Sequence, residues 1–341
     1  MSDGKGQPGM RLWVGMRFLV VFLVLLLLAV VFYLIGGTGS GAGFAGGFST
    51  LFILPFTVGG ILRLALGSGT GDRPEQPPKR SGWKSSLSLI TTLAIMVLVG
   101  VVFREGVICL VMLAIPWGIS GLLGVTTVGS LQAAFRRRAR LHSAGLMALP
   151  FLVLLAGPVL PHATHHFEVR RSIIIEAPAD RIWPHLLALE NLSDKEGEWT
   201  IAQNLLRIPR PRSAVVVGEG EGARRLAQWG DHITFEEHVT HWRPEQRLSW
   251  RFVFPNDSVG RYTDAHIGPD SDYLGIETGG YELTPIGDGR TRLTLHTRYR
   301  ASSPANHYSA LWGEVILGGI QSNILHIIAD RAEAENAANA M

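Results

Sequence analysis

The last long segment of the chain, from Tyr308 to Glu335, has the sequence YSALWGEVILGGIQSNILHIIADRAEAE. Its apolar residues recur mostly three and four positions apart, which predicts a helix with one apolar face. At about 1.5 Å per residue, such a helix is about 40 Å long and needs an apolar surface of similar length to pack on. Gly318-Gly319 interrupts the pattern; a bend, a close approach by another element and room for a ligand would each explain these glycines.

The segments before this helix have the pattern of an antiparallel sheet. A strand is predicted at Val169–Glu176, and Ala177-Pro178-Ala179-Asp180 is typical of a helix start. Apolar residues then alternate in Leu248/Trp250/Phe252/Phe254, so that strand has one buried face. Further strands are predicted at 214–217, 223–229, 232–242, 247–254, 279–285 and 291–300. This order predicts an α+β fold in which a curved antiparallel sheet packs against the terminal helix.

Three motifs of this region resemble a known superfamily. They are IEAPADRIW at Ile175–Trp183, EHVTHWRP at Glu237–Pro244 followed by RLSWR at Arg247–Arg251, and YELTP at Tyr281–Pro285 followed by GRTRL at Gly289–Leu293. In this order, and with the terminal helix, they are similar to the START/Bet v 1-like superfamily, also called SRPBCC or polyketide cyclase/dehydrase-like. The resemblance implies a helix-grip cavity for a lipid, sterol, polyketide or other apolar molecule. It leaves the activity open, because this fold hosts binders, carriers and enzymes.

The N-terminal half has the composition of a membrane region. No charged residue occurs from Phe18 to Leu62. Apolar runs predict an α-helical membrane bundle of about five transmembrane helices, near 18–36, 48–66, 87–103, 106–128 and 146–160. A signal peptide is the alternative interpretation of the first run. The predicted domains are thus a polytopic membrane domain (1–161), a linker (162–167), an exported START-like domain (168–335) and a tail (336–341).

Charge is distributed unevenly between the two halves. Residues 1–163 contain 13 Lys/Arg and 4 Asp/Glu, whereas the remaining residues contain 18 and 24. The basic segments lie before the first predicted span, between the second and third, and between the fourth and fifth. The positive-inside rule therefore predicts a multi-pass plasma (inner) membrane protein with a cytoplasmic N-terminus and a periplasmic C-terminal domain. A nucleic-acid partner is not predicted, and Cys109, the single cysteine, excludes a disulfide within the chain.

Large apolar side chains are the predicted walls of the ligand cavity, and a solid core is the alternative role for each of them. The predicted lining consists of Trp183, Trp229, Trp242, Trp250, Phe252, Phe254, Tyr281, Leu293, Leu295, Trp312, Val315, Ile316 and Ile320.

Titratable groups suggest two further sites. Glu237 and His241 share one strand parity with apolar residues, so they are candidate acid/base groups; an internal arginine partner for Glu237 is the alternative. His296 has the opposite parity to Leu293 and Leu295 and is expected on the solvated face. His162, His165 and His166 are weak candidates for a metal site, and a polar linker is the other interpretation. No metal or other cofactor is predicted.

Three functional hypotheses follow from the sequence. The favoured one is the binding, or transfer, of a lipid or another hydrophobic small molecule next to the bilayer. The alternatives are an accessory subunit that binds a membrane-protein partner and an enzyme of the cyclase or hydrolase kind. Glycine pairs such as Gly36-Gly37 and Gly59-Gly60 would allow the close helix packing that a subunit needs. Convergence of two titratable groups in the cavity would favour the enzyme.

Overall fold

The computed structural model of the chain describes residues 16, 19–27, 29–30, 49–67, 81–102, 107–135, 163–263, 268–303 and 305–339. The chain divides into two compact units, Met1–Pro161 and His162–Met341. Several predicted features lie outside the described residues. They are His162 of the linker, part of the first span, Gly36-Gly37 and the fifth span at 146–160.

The described part of the N-terminal unit is helical. Residues 19–27 are helical, and a π-helical turn at Ser49–Ile53 leads into a helix. The labelled helices are α1 (Leu54–Gly67), α2 (Ser81–Val102) and α3 (Val107–Phe135).

One helix among the described residues, over Val107–Leu131, is long and apolar enough to cross a membrane. Leu51–Leu64 and Ser86–Val102 are shorter apolar helices. The bundle of five spans therefore remains a prediction.

Glycines bring α1 and α3 into backbone contact. A Cβ atom on Gly59 would overlap the carbonyl of Gly121, and one on Gly124 would overlap the carbonyl of Phe56. Such close approach is typical of small-residue helix crossings in membranes. The glycine face that begins at Gly59 thus packs within the chain.

In the C-terminal unit, eight described strands form one antiparallel sheet in the order β1-β8-β7-β6-β5-β4-β3-β2. Their bounds are β1 (His165–Ile175), β2 (Ala188–Leu189), β3 (Pro211–Val217), β4 (Arg224–Trp229), β5 (Ile233–Arg243), β6 (Arg247–Val253), β7 (Leu274–Gly287) and β8 (Arg290–Ala301). The sheet curls into a half-barrel, and a long C-terminal helix completes the predicted helix-grip arrangement.

Three helices accompany the sheet. They are α4 (Ala179–Leu187), α5 (Ser258–Thr263) and α6 (Asn306–Asn339). Helix α4 begins directly after Pro178, as its sequence predicts, and buries Ile182, Trp183 and Leu186. Helix α6 continues through Gly318-Gly319 and packs along β1 and β8.

The main core joins α4, the middle of the sheet and the C-terminal half of α6. Ile182 and Leu186 of α4, Leu248 of β6, Leu293 of β8 and Ile328 of α6 are fully buried in it. This core anchors the C-terminal half of α6.

Candidate functional site

The inner face of the curled sheet carries large apolar side chains that α6 and α4 cover unevenly. Along β5, Ile233, Phe235, Glu237 and Val239 are buried, whereas the residues between them are more exposed. Strand β6 continues this face, with Trp250 paired to Val239. We call this surface the inner face.

Two smaller apolar clusters lie beside the main core. One contains Phe235 and Ile233, with Trp229, Phe252 and Phe254 packed against it. The other joins Val169 and Tyr299 to Leu317 of α6. The buried apolar residues thus form one main core with two smaller clusters beside it, and Phe252 packs against both the main core and the first of these.

Helix α6 approaches β1 and β8 closely because its glycines leave space. A Cβ atom on Gly318 would overlap the guanidinium of Arg171, and one on Gly313 would overlap the hydroxyl of Tyr299. Arg171 Nη2 donates to Glu314 Oε2 at 2.8 Å, so the space is filled by an ion pair. Of the three explanations for Gly318-Gly319, the structure therefore selects close approach.

The two halves of α6 differ in burial. Leu325 and Ile328 in the C-terminal half are buried, whereas Trp312, Val315 and Ile316 in the N-terminal half are only half-buried. The N-terminal half of α6 is therefore the less covered half.

The predicted lining residues fall into two groups. Trp183, Trp250, Tyr281, Leu293, Leu295 and Ile320 are buried. Trp229, Trp242, Phe252, Phe254, Trp312, Val315 and Ile316 are half-buried. Contact of either group with a ligand stays a prediction. Only the half-buried group has side-chain surface that a ligand could still cover.

An ion pair between Arg225 and Glu237 lies on the inner face. Arg225 Nη1 donates to Glu237 Oε2, and the two side chains are 5% and 6% exposed. The guanidinium also lies 5.5 Å from the ring centroid of Trp250 and 5.8 Å from that of Tyr281. The alternative role of Glu237, pairing with an internal arginine, is therefore realised.

Burial controls the electrostatics of this cluster. It raises the pKa of Glu237, and the Arg225 guanidinium partly offsets that rise. Burial acts to lower the pKa of Arg225, but Glu237 and Tyr281 together outweigh it and the pKa is raised. Burial also raises the pKa of the Tyr281 phenol.

Two donors of the cluster have no hydrogen-bond partner among the described residues. They are Nε of Arg225 and Nε1 of Trp250, both buried. Buried polar atoms are nearly always hydrogen-bonded, so these two could serve the polar end of a bound molecule. The cluster is therefore a polar group of side chains on an otherwise apolar inner face.

Residues 166–333 match the model of a family described as polyketide cyclase / dehydrase and lipid transport. These residues make up most of the C-terminal unit, which we call the START-like domain after the superfamily that its sequence motifs resemble. Its curled sheet and long terminal helix agree with the fold that the sequence motifs imply. No curated protein shows significant similarity to the chain.

Solved structures similar to the START-like domain come from plants and bacteria. Norcoclaurine synthase from Thalictrum flavum is 14% identical over 51% of this chain and 88% of its own, with a TM-score of 0.31. The Zhui aromatase/cyclase from Streptomyces sp. R1128 is 14% identical over 52% and 89%, with a TM-score of 0.25. A protein from Nitrosomonas europaea is 16% identical over 50% and 96%, with a TM-score of 0.29. These likenesses are too low to carry an argument about function.

The START-like domain places His241 differently from its predicted inward position. A β-bulge between Val239 and His241 shifts the strand parity, so His241 is exposed. Its Nδ1 atom lies 3.4 Å from the Thr240 hydroxyl. The prediction that His241 points inward is wrong, because a bulge breaks the two-residue period of a strand. The hypothesis that Glu237 and His241 are acid/base groups stays a prediction.

His296 was expected on a solvated face, and that expectation is also wrong. It lies on the outer face of the sheet but is only 6% exposed. Gly280 leaves room for the ring, because a Cβ there would lie 2.8 Å from His296 Cε1 and from Ser249 Oγ. Burial lowers the pKa of His296, and its Nδ1 has no partner among the described residues.

His165 and His166, at the start of the START-like domain, contact different residues. His165 forms an edge contact with the ring of His307 at 5.7 Å, whereas His166 Nδ1 lies 3.2 Å from Glu277 Oε2. Within the described ranges, no group of three His, Cys, Asp or Glu side chains is arranged to hold a metal ion.

Sequence reasoning missed Arg225 as the partner of Glu237. Counting outward from the predicted turn Gly230-Asp231 pairs Arg225 with Glu236. In the structure the turn has three residues, Gly230 to His232, so Trp229 pairs with Ile233 and Arg225 with Glu237. The ion pair therefore depends on one extra turn residue.

Proposed function

We propose that this chain is a membrane-tethered protein that binds, and can transfer, a hydrophobic ligand such as a lipid in the cup of its START-like domain. The observation that carries this function is the set of half-buried aromatic side chains on the inner face, Trp229, Phe252 and Phe254, together with Trp312 of α6. Apolar surface left partly uncovered in a concave site favours an apolar ligand. The description of the matching family, which includes lipid transport, supports the same ligand class.

The membrane part of the proposal draws on exposed apolar residues of the N-terminal unit. Val107, Ile115, Ile119 and Leu123 of α3 are all more than half exposed and recur at intervals of four or eight. Such a face favours hydrocarbon as its environment. With the asymmetry of Lys and Arg, it supports a multi-pass inner-membrane protein whose C-terminal domain lies outside the cytoplasm.

Ligand binding is tested on the full-length chain purified from the membranes of its own host. Native mass spectrometry followed by organic extraction is expected to find one lipid-like molecule that is retained at near-stoichiometric occupancy. A protein that stays empty across total lipid extracts would contradict the proposal.

A matched pair of variants locates the ligand. Phe254→Ser changes a half-buried ring of the inner face and is expected to lower ligand retention, whereas Leu226→Ser changes an exposed residue of β4 and should leave it unchanged. Equal retention in both variants would mean that the ligand lies elsewhere, for example among the detergent-embedded helices.

A second candidate is an enzyme of the cyclase or hydrolase kind, and it is favoured by the convergence of Glu237, Arg225 and Tyr281. A buried carboxyl whose pKa is raised can exchange a proton with a substrate. Once the ligand is known, turnover that is lost in Glu237→Gln while binding is kept would favour this function over simple binding.

The hypothesis of an accessory subunit loses one of its arguments. The glycine face at Gly59 contacts α3 of the same chain, so it does not need a partner to explain it. Co-purification of a stoichiometric membrane protein would restore this hypothesis.

A further inference from the structure

One exposed segment of the START-like domain carries large apolar side chains. Trp199 is 66% exposed, Ile201 is 43% exposed and Leu205 is 67% exposed. We call residues 199–207 the apolar loop. Its inner side packs on the middle of α6, where a Cβ on Gly319 would lie 3.3 Å from Thr200 Cβ. The exposed side chains are therefore displayed by a segment that is itself anchored.

Hydrogen bonds within the segment fix its shape. Thr200 Oγ1 accepts from the backbone N–H of Gln203 at 3.2 Å, and Asn204 Oδ1 accepts from the N–H of Thr200 at 2.9 Å. Arg210 donates to Asn204 Oδ1 and to the carbonyl of Glu196, at 3.2 and 2.9 Å. A backbone satisfied in this way can enter a less polar environment without leaving its donors and acceptors unpaired.

The chain that follows the exposed side chains is basic. From Trp199 to Gly218 the sequence contains Arg207, Arg210 and Arg212 and no acidic residue. The two carboxylates just before Trp199 have cationic or imidazole neighbours: Glu198 Oε2 lies 3.6 Å from His326 Nδ1, and Glu196 bonds to Arg331 at 2.8 and 3.1 Å. Arg207 is exposed beside Leu205.

A tryptophan, two aliphatic side chains and adjacent arginines are the combination that suits the boundary between lipid headgroups and acyl chains. Anionic headgroups attract the arginines, while tryptophan is favoured at the headgroup level. A soluble protein partner would explain the apolar residues but not their combination with the exposed Arg207 and the acid-free stretch that follows Trp199.

We propose that the apolar loop is a lipid-interface contact, in which Trp199, Ile201 and Leu205 insert into the surface of a bilayer and Arg207 contacts its headgroups. This inference rests on the membrane part of the proposed function. It gives the cup a route to lipid, because the loop lies against the same helix that covers the cup.

The test uses the full-length chain in nanodiscs of phosphatidylcholine and phosphatidylglycerol. A Cys109→Ala background removes the only native cysteine. A nitroxide label is attached to Leu205→Cys, with Trp199→Cys as a second site in case one variant folds poorly. Asp288→Cys is the aqueous control, because that side chain is 90% exposed at the β7–β8 turn. Ile119→Cys on the exposed face of α3 is the lipid control.

Collision rates with oxygen and with a water-soluble nickel reagent are measured for each label. We expect the labels at 205 and 199 to be several-fold less accessible to nickel, relative to oxygen, than the label at 288. Accessibility equal to that at 288, while the label at 119 reports lipid, would overturn the loop contact and leave the membrane proposal standing. Shielding of 205 from both reagents would indicate a protein contact and would also overturn it. Aqueous behaviour at both 119 and 205 would overturn the membrane proposal itself.

Discussion

Arg225 and Glu237 are the residues of this protein for which burial and charge conflict most directly. Two charges that are almost fully enclosed lose their hydration, and their mutual attraction and hydrogen bond compensate for that loss. The buried pair adds little net stability to the fold. Removing one of its members is nevertheless costly, because the other would remain as a buried, unpaired charge.

Replacing Arg225 with Met should therefore destabilise the START-like domain strongly. Loss of one member of a buried ion pair costs about 3–5 kcal/mol. The measurement is urea-dependent proteolysis of the domain within the full-length chain. The double variant Arg225→Met/Glu237→Leu removes both charges and should recover most of that loss. A double variant as unstable as Arg225→Met would show that packing, not charge, is responsible.

His296 predicts an acid sensitivity of the same domain. Burial lowers its pKa below the ordinary value of 6.5, so the folded state binds the proton more weakly than the unfolded state. The stabilising contribution is complete above about pH 6.5 and is lost as the pH falls towards and through the lowered pKa.

His296→Gln should abolish that part of the loss of stability between about pH 7.5 and pH 5, measured as the shift in the urea midpoint. His241→Gln is the matched control because His241 is exposed, and it should keep the wild-type profile. Identical profiles for His296→Gln and the wild type would contradict the role of His296.

At the scale of elements, the contact of α6 with β1 depends on a glycine, Gly318, which has no side chain. Gly318 lies over Arg171, whose guanidinium bonds to Glu314 one turn earlier on the helix. Helix propensity alone favours alanine over glycine by about 1 kcal/mol, so the effect of a substitution depends on which term is larger.

Gly318→Ala should displace Arg171 from Glu314, and the loss of this partly exposed ion pair, about 0–1 kcal/mol, should cancel most of the gain in helix propensity. In the background Arg171→Ala that loss is absent, and Gly318→Ala should stabilise the domain by about 1 kcal/mol. A double-mutant cycle on the urea midpoint measures this coupling. Additive effects would mean that the glycine is tolerated rather than required.

The crossing of α1 and α3 depends on glycine in the same way. Gly59→Ala would overlap the carbonyl of Gly121, and this backbone atom cannot turn aside as a side chain can. We expect a several-fold lower yield of folded protein by fluorescence-detected size exclusion. Gly118→Ala, whose Cβ would lie 3.5 Å from Leu89, is the matched control and should keep the wild-type yield. Equal yields would argue against a tight crossing.

For the whole molecule, the distribution of Lys and Arg predicts which side of the membrane each half faces. A membrane-impermeant maleimide added to intact cells with a permeabilised outer layer should label Asp288→Cys. It should leave Lys79→Cys, in the basic segment between the second and third predicted spans, unlabelled until the membrane is lysed. The reverse pattern would invert the topology, and labelling of both would contradict a sealed membrane orientation.

Much of the START-like fold was accessible from sequence because its patterns are local. Alternation in β5, β6 and β8 and the period of α6 each depend on neighbours within a few residues. The pairing of Arg225 with Glu237 was not accessible in this way, because the turn between β4 and β5 has one residue more than Gly230-Asp231 indicates. Whether the same side chains line a cup or fill a core is a different matter, since parity and hydropathy are the same in both.

The sequence by itself determined the order of elements, the charge asymmetry between the halves and the helix-grip arrangement, because periodicity and charge depend only on residues close together in the chain. Only the tertiary structure decided the rest. A bulge turned His241 outward, Gly280 gave His296 a buried place, Gly318 let Arg171 lie under α6, and Trp199 stayed exposed. Each of these depends on what a distant segment brings to the position, and contact across the sheet is not encoded in local spacing.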